Sequence, residues 1–157
     1  MLKNLLTIVL FAAINIFPAV SSANSAQDAA YSFVTKQRLG HNFETTARGL
    51  IEESAPYMGL VQQLGAVKAK RLVSDEFNAR IDVYLTRWER SLANVFAKHF
   101  TAQELSSLTA EGGASAHRAK FVQKQTVIEQ DISAATKPVL KEFVTEVLGR
   151  AMAKSRS

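Results

Sequence analysis

The chain has 157 residues, 19 of them Lys or Arg and 14 Asp or Glu, for a formal charge of +5, and 47% are hydrophobic. That length and apolar content suit one domain with a packed core rather than a disordered or fibrous chain. The absence of cysteine excludes disulfides, thiolate metal ligands and thiol nucleophiles, so stability has to come from packing.

At the N-terminus, Lys3 precedes an apolar run from Leu5 to Val20, and Ser21-Ser22-Ala23 follows with the small residues that a signal peptidase reads. Asn24-Ser25-Ala26 offers a second cut. Asn15 and Pro18 interrupt the run, which leaves it short for a membrane span and suited to a removable leader. Residues 1–26 are therefore expected to be a cleavable signal peptide, cut after Ala23 or Ala26, and the product to be periplasmic or secreted. Lys3 is the only charged residue of that segment, so the mature chain keeps a net charge of +4. Residues 27–149 are expected to form a single helical domain and residues 150–157 a basic, flexible tail.

Downstream the apolar residues recur with helical spacing. Tyr31, Phe33 and Val34 mark a first helix ending near Gly40, and Phe43, Ala47, Leu50 and Ile51 a second helical face. Ser54-Ala55-Pro56 breaks the pattern, since proline is tolerated in a first helical turn and disfavoured further in. Tyr57, Leu60, Val61 and Leu64 then form a short third helix that Gly65 closes. Ser74, followed by Asp75 and Glu76, reads as the N-cap of a long helix. Its buried face is Phe77, Ile81, Leu85, Trp88, Leu92, Phe96 and His99.

Thr101-Ala102-Gln103-Glu104 has the form of a capping box, with Phe100 and Leu105 at the positions of a hydrophobic staple. A short helix is expected there, facing the core with Leu105 and Leu108 and ended by Gly112-Gly113, where glycine takes positive φ without steric cost. The last stripe, Phe121, Ile128, Ile132, Ala135, Val139, Phe143 and Val147, runs from Ser115 to about Leu148. Pro138 lies inside it, which predicts a kink or a division near Thr136-Lys137. No stretch alternates with a period of two, so the fold class expected is all-α, an irregular antiparallel helical bundle.

Reactive constellations are sparse. His99 and His117 flank the capping-box corner and are read as structural or solvated, because His-x₃-His and Glu-x-x-His spacings are absent. Glu52-Glu53 and Asp75-Glu76 are adjacent carboxylates, but neighbouring helical residues point about 100° apart and both pairs sit where solvated charge is expected. There is no Gly-x-Ser-x-Gly elbow and no phosphate-cradling P-loop. No catalytic residue, metal ligand or cofactor is therefore assigned. Basic residues gather at Lys68, Lys70 and Arg71, at Arg118, Lys120 and Lys124, and at Arg150, Lys154 and Arg156, where they fit an anionic membrane surface or solvent. An exported chain meets no nucleic acid, so none is expected as partner.

The run Phe100-Thr101-x-x-Glu104-Leu105-x-x-Leu108, after a long helix containing Trp88 and before a basic helix, resembles the C-terminal hallmark of the bacterial domain-of-unknown-function family 2059. The likeness is strongest from Arg87 to Leu148, and this chain has Glu111-Gly112-Gly113-Ala114-Ser115 where that family turns through a Ser-Pro-x-Gly-like segment. The resemblance implies an exported helical protein and transfers no catalytic residue. The expected function is non-enzymatic binding of an envelope protein partner or client through an apolar helical face, with Phe100, Thr101, Glu104, Leu105, Leu108, Gly112 and Gly113 as the candidate binding or structural corner. The alternatives are a small-ligand or lipid carrier with a cavity between helices and, behind it, a hydrolase or metalloenzyme. Homodimerisation through the C-terminal stripe is a further expectation.

Overall fold

The structure is a computed structural model that describes residues 19–156. Among them it has seven α-helices, one 3-10 turn and no strand: α1 (Ala19–Lys36), α2 (Asn42–Glu52), α3 (Ala55–Leu64), α4 (Ala66–Asn78), α5 (Ile81–His99), α6 (Ala102–Glu111), the 3-10 turn Gly112–Ala114, and α7 (Arg118–Lys154). The all-α class expected from the periodicity is what the chain adopts. Most of the expected leader, residues 1–18, lies outside the described residues. Both expected cut positions, Ala23 and Ala26, fall within α1, and from Ser25 onwards the first buried side chain is Ala30. No helix among the described residues is long and apolar enough to cross a membrane.

The short helices follow their local chemistry. Phe43, Ala47 and Ile51 recur every fourth residue and are the buried stripe of α2, whereas Leu50, expected on that face, is 45% exposed. Ser54 caps α3 by accepting from the Tyr57 amide at 3.3 Å, and Pro56 sits in the first turn, where its missing N–H costs nothing. Gly65, at φ 80°, separates α3 from α4, a conformation that residues with a Cβ avoid.

Two expectations need correction, and one alternative is decided. Ser74 is not an N-cap: it lies inside α4, and the long helix is broken at Ala79-Arg80. Phe77, Ile81 and Leu85 keep a four-residue step across that break, so the apolar repeat carries no sign of it. What stabilises the break is Arg80, whose Nη1 donates to the Glu76 carbonyl oxygen at 2.9 Å and so satisfies an open acceptor at the end of α4. Of the two outcomes that Pro138 left open, a division near Thr136-Lys137 does not occur: α7 runs for 37 residues, about 55 Å, with Pro138 inside it. Ala134, whose carbonyl loses its partner to the proline ring, is exposed to water. Finally, residues 150–154 are not a flexible tail. They form the last turn of α7, with Ala151 fully buried, Arg150 on Glu146 and Lys154 on Glu76.

The core has two clusters. In one, Phe143 of α7 packs its ring within 4.9–5.2 Å of Phe77, Tyr84 and Phe43, joining α2, α4, α5 and α7. In the other, Phe33 of α1, Phe96 of α5, Phe100, Leu105 of α6 and Ile128 of α7 come together. Trp88 packs against both. α5 and α7 run in opposite directions, tied by Arg80–Glu146, Arg87–Glu142 and His99–Asp131. Each large side chain these clusters bury contributes about 1.5–3 kcal/mol before its entropy cost.

Candidate functional site: an apolar cleft

α1 packs on α5 and α6, and α7 packs on α5, but α1 and α7 are not packed along their lengths. Their rings meet at Phe33 and Phe121, with centroids 6.4 Å apart, and beyond that contact a cleft of about 660 Å³ opens between them. Trp88, Leu92 and Phe96 of α5 form its floor. One wall is Phe33 and Gln37, continued by Leu39 and Asn42 in the turn to α2. The other is one face of α7: Arg118, Phe121, Val122, Gln125, Ile128, Glu129 and Ile132, which fall on two adjacent rows of the helix at three- and four-residue steps. Leu108, Gly112 and Gly113 close the end nearest the α6–α7 corner.

Apolar rings and branched aliphatic chains dominate this lining, and the polar groups stand at its edges. Arg118 lies with its guanidinium 5.9 Å from the centre of the Phe121 ring and holds no carboxylate among the described residues. Glu129 accepts from Gln125 Nε2 at 2.9 Å. Trp88 Nε1 is buried without a hydrogen-bond partner, so the indole contributes apolar surface to the cleft and no donor. Such a surface provides hydrophobic contact along its length and a cation at one end.

The corner singled out in the sequence divides between two roles. Leu108, Gly112 and Gly113 line the cleft, while Phe100, Thr101, Glu104 and Leu105 do not. Those four lock α6 to α7. Thr101 Oγ1 accepts from the Glu104 amide at 3.3 Å, and the Thr101 amide donates to Glu104 Oε2 at 2.9 Å, the expected capping box. Glu104 also receives Lys120 Nζ at 2.6 Å. That hydrogen bond, then the one from the Thr101 backbone, holds the Glu104 carboxyl below its ordinary value. Phe100 stacks on Phe121 at 5.9 Å, and Leu105 is fully buried.

His99 and His117 go to separate partners. His99 Nε2 is 2.9 Å from Asp131, and His117 Nδ1 is 3.9 Å from Glu104. No group of three or more metal-ligating side chains assembles among the described residues. Of the acidic pairs, Glu52, Glu53 and Asp75 are exposed, but Glu76 is 2% exposed and not solvated as expected. It is held by Arg80 at 2.7 Å and by Lys154, and the Lys154 hydrogen bond, against the opposing effect of burial, keeps its carboxyl below the ordinary value. Two of the basic clusters are likewise partly engaged, through Lys120, Arg150 and Lys154, whereas Lys68, Lys70 and Arg71 are exposed.

The site thus defines an all-helical protein with an apolar interhelical cleft. No family model matches the chain, and no curated protein or solved structure matches it.

Proposed function

We propose that this is an exported, non-enzymatic binding protein that holds a small apolar or amphipathic molecule in the cleft between α1, α5 and α7. The helices then serve as an irregular antiparallel bundle with one packing surface left open for the ligand. The observation that carries the reading is the cleft itself: about 660 Å³, within the usual range for ligand sites, with a mostly aromatic and aliphatic lining and few polar groups. The leader pattern from Lys3 to Ala23 supports a periplasmic or secreted location, and the resemblance of the Phe100–Leu108 run to the exported family 2059 belongs to the same proposal. Both cuts precede Ala30, the first side chain buried from Ser25 onwards, so the core clusters stay whole after leader removal. Native mass spectrometry of the gently purified mature protein tests the reading. A reproducible co-purified small-molecule mass supports it, and a clean apo mass that no added lipid shifts sinks it.

A second reading, capture of an envelope protein or of another copy of the chain, is favoured by Val122 and Val127. These α7 side chains are 52% and 51% exposed, one at the lip of the cleft. Light scattering and cross-linking of the Val127→Glu variant, at a position outside the cleft lining, separate the readings. A protein partner or dimer on this face of α7 is weakened in the variant, whereas a small ligand on the Trp88 floor is retained.

A further inference from the structure

The chemistry of the occupant follows from how charge and shape are distributed along the cleft. On α7 the lining begins at Arg118 and ends at Ile132, fourteen residues later, a span of about 21 Å. A cleft of about 660 Å³ drawn out over that length accommodates a single hydrocarbon chain, whose carbons pack about 4 Å from their neighbours.

The two ends differ. At one, Gly112 and Gly113 leave the wall without side chains, and a Cβ built on Gly113 meets nothing within 4 Å. Arg118 stands beside this gap. Arg118 is the one arginine that lines the cleft, and its guanidinium has no carboxylate among the described residues. Its planar fork of donors is matched to an oxyanion. Glu129, the other charged lining residue, is eleven residues along α7, about 16 Å away. Trp88, in contact with Phe43 at 5.1 Å, marks the opposite end from Phe121, which packs with Phe33, Phe96 and Phe100.

We propose that the ligand is a single-chain fatty acid, bound with its carboxylate on Arg118 and its hydrocarbon chain lying along α7 towards Trp88. The reversed orientation brings the carboxylate to the end where Glu129 is the only charged lining group, and repulsion disfavours it. This rests on the small-ligand reading above and adds to it the charge and direction of the ligand.

Trp88 is the only tryptophan of the chain, so its emission reports on the cleft directly. The mature protein is titrated, below the micelle concentration, with a medium-chain fatty acid brominated at its terminal carbon, with the isomer brominated beside the carboxyl group, and with the terminally brominated alcohol. Three results are expected. The terminal bromine quenches Trp88 more strongly at saturation than the bromine beside the carboxyl. The acid binds about threefold to tenfold more tightly than the alcohol. Arg118→Gln removes that preference by weakening the acid alone, with an unchanged circular dichroism spectrum as the control for folding. If the alcohol binds as tightly as the acid and R118Q changes neither, the fatty acid assignment falls while the small-ligand reading stands. A reversed order of quenching overturns the orientation. If no probe alters Trp88 emission and none is retained in native mass spectra, both readings fall together.

Discussion

Glu76 is the residue whose environment is most at odds with its chemistry. A carboxylate at 2% exposure is costly unless cations and hydrogen bonds replace the lost water, and here Arg80 does so from the α4–α5 break and Lys154 from the end of α7. The two cations are not equivalent. Arg80 is 18% exposed in its side chain and also binds Glu146 and the end of α4, whereas Lys154 is 63% exposed. Glu76→Gln leaves Arg80 short of a charge in a partly dry site, and is expected to cost about 2 kcal/mol, below the full value for a buried pair because water reaches Lys154. Lys154→Gln leaves the Arg80 pair standing and is expected to cost less than about 1 kcal/mol. Urea unfolding midpoints of the two variants check the ordering. Equal losses would mean that Lys154, not Arg80, carries the compensation.

Among the elements, α7 bears the greatest internal conflict, because a proline sits near the middle of a continuous helix that also provides one face of each core cluster. The conflict is tolerable since both Pro138 and Ala134 are exposed, and the unpaired Ala134 carbonyl is free to bind water. Pro138→Ala restores the missing N–H but gives the unfolded chain more freedom, so a net gain of about 1 kcal/mol is expected, read as a higher melting temperature. A loss on substitution would show that the proline shapes the curve with which α7 spans both clusters. The same tension explains why the sequence leaves a kink and a division both open: proline is a local signal for either, and packing of Thr136 and Val139 on both sides of it favours one continuous helix. Conversely, the break at Ala79-Arg80 leaves no mark on the apolar repeat, and it is anchored in part from far along the chain, where Arg80 reaches Glu146 of α7. Features set by short-range spacing, such as the Thr101–Glu104 capping box, the break at Ser54-Ala55-Pro56 and the Phe43-Ala47-Ile51 repeat, were legible in the sequence. Of the cleft, only Leu108, Gly112 and Gly113 were singled out. A cleft is a distance between helices, and its lining from Phe33 to Ile132 carries the same apolar periodicity as a closed core.

Across the whole molecule, α7 is held to its neighbours by carboxylates as well as by rings. Glu76 joins α4 to α7, Glu142 and Glu146 join α7 to Arg80, Tyr84 and Arg87, and Glu104 joins α6 to α7. All four carboxyls are held below their ordinary value of 4.5, Glu146 at about 2 through its hydrogen bonds from Tyr84, Arg150 and Arg80. A carboxyl with a depressed folded pKa binds its proton more readily in the unfolded chain, so its stabilisation is complete above the unfolded value and lost as pH falls through the folded one. The melting temperature is therefore expected to be level above about pH 5 and to decline from 4.5 towards 2. On the alkaline side, burial and the same two glutamates push the Tyr84 phenol from 10 up to about 12. Folding then favours the protonated phenol, and a second decline begins as pH rises past 10. Thermal scans followed by far-ultraviolet circular dichroism across this range check both limbs. Glu146→Gln removes the most strongly depressed carboxyl and is expected to flatten the acid limb while leaving the alkaline one, now with only Glu142 beside Tyr84, displaced to lower pH. A melting temperature unchanged between pH 5 and 2.5 would mean that apolar packing alone holds α7 in place.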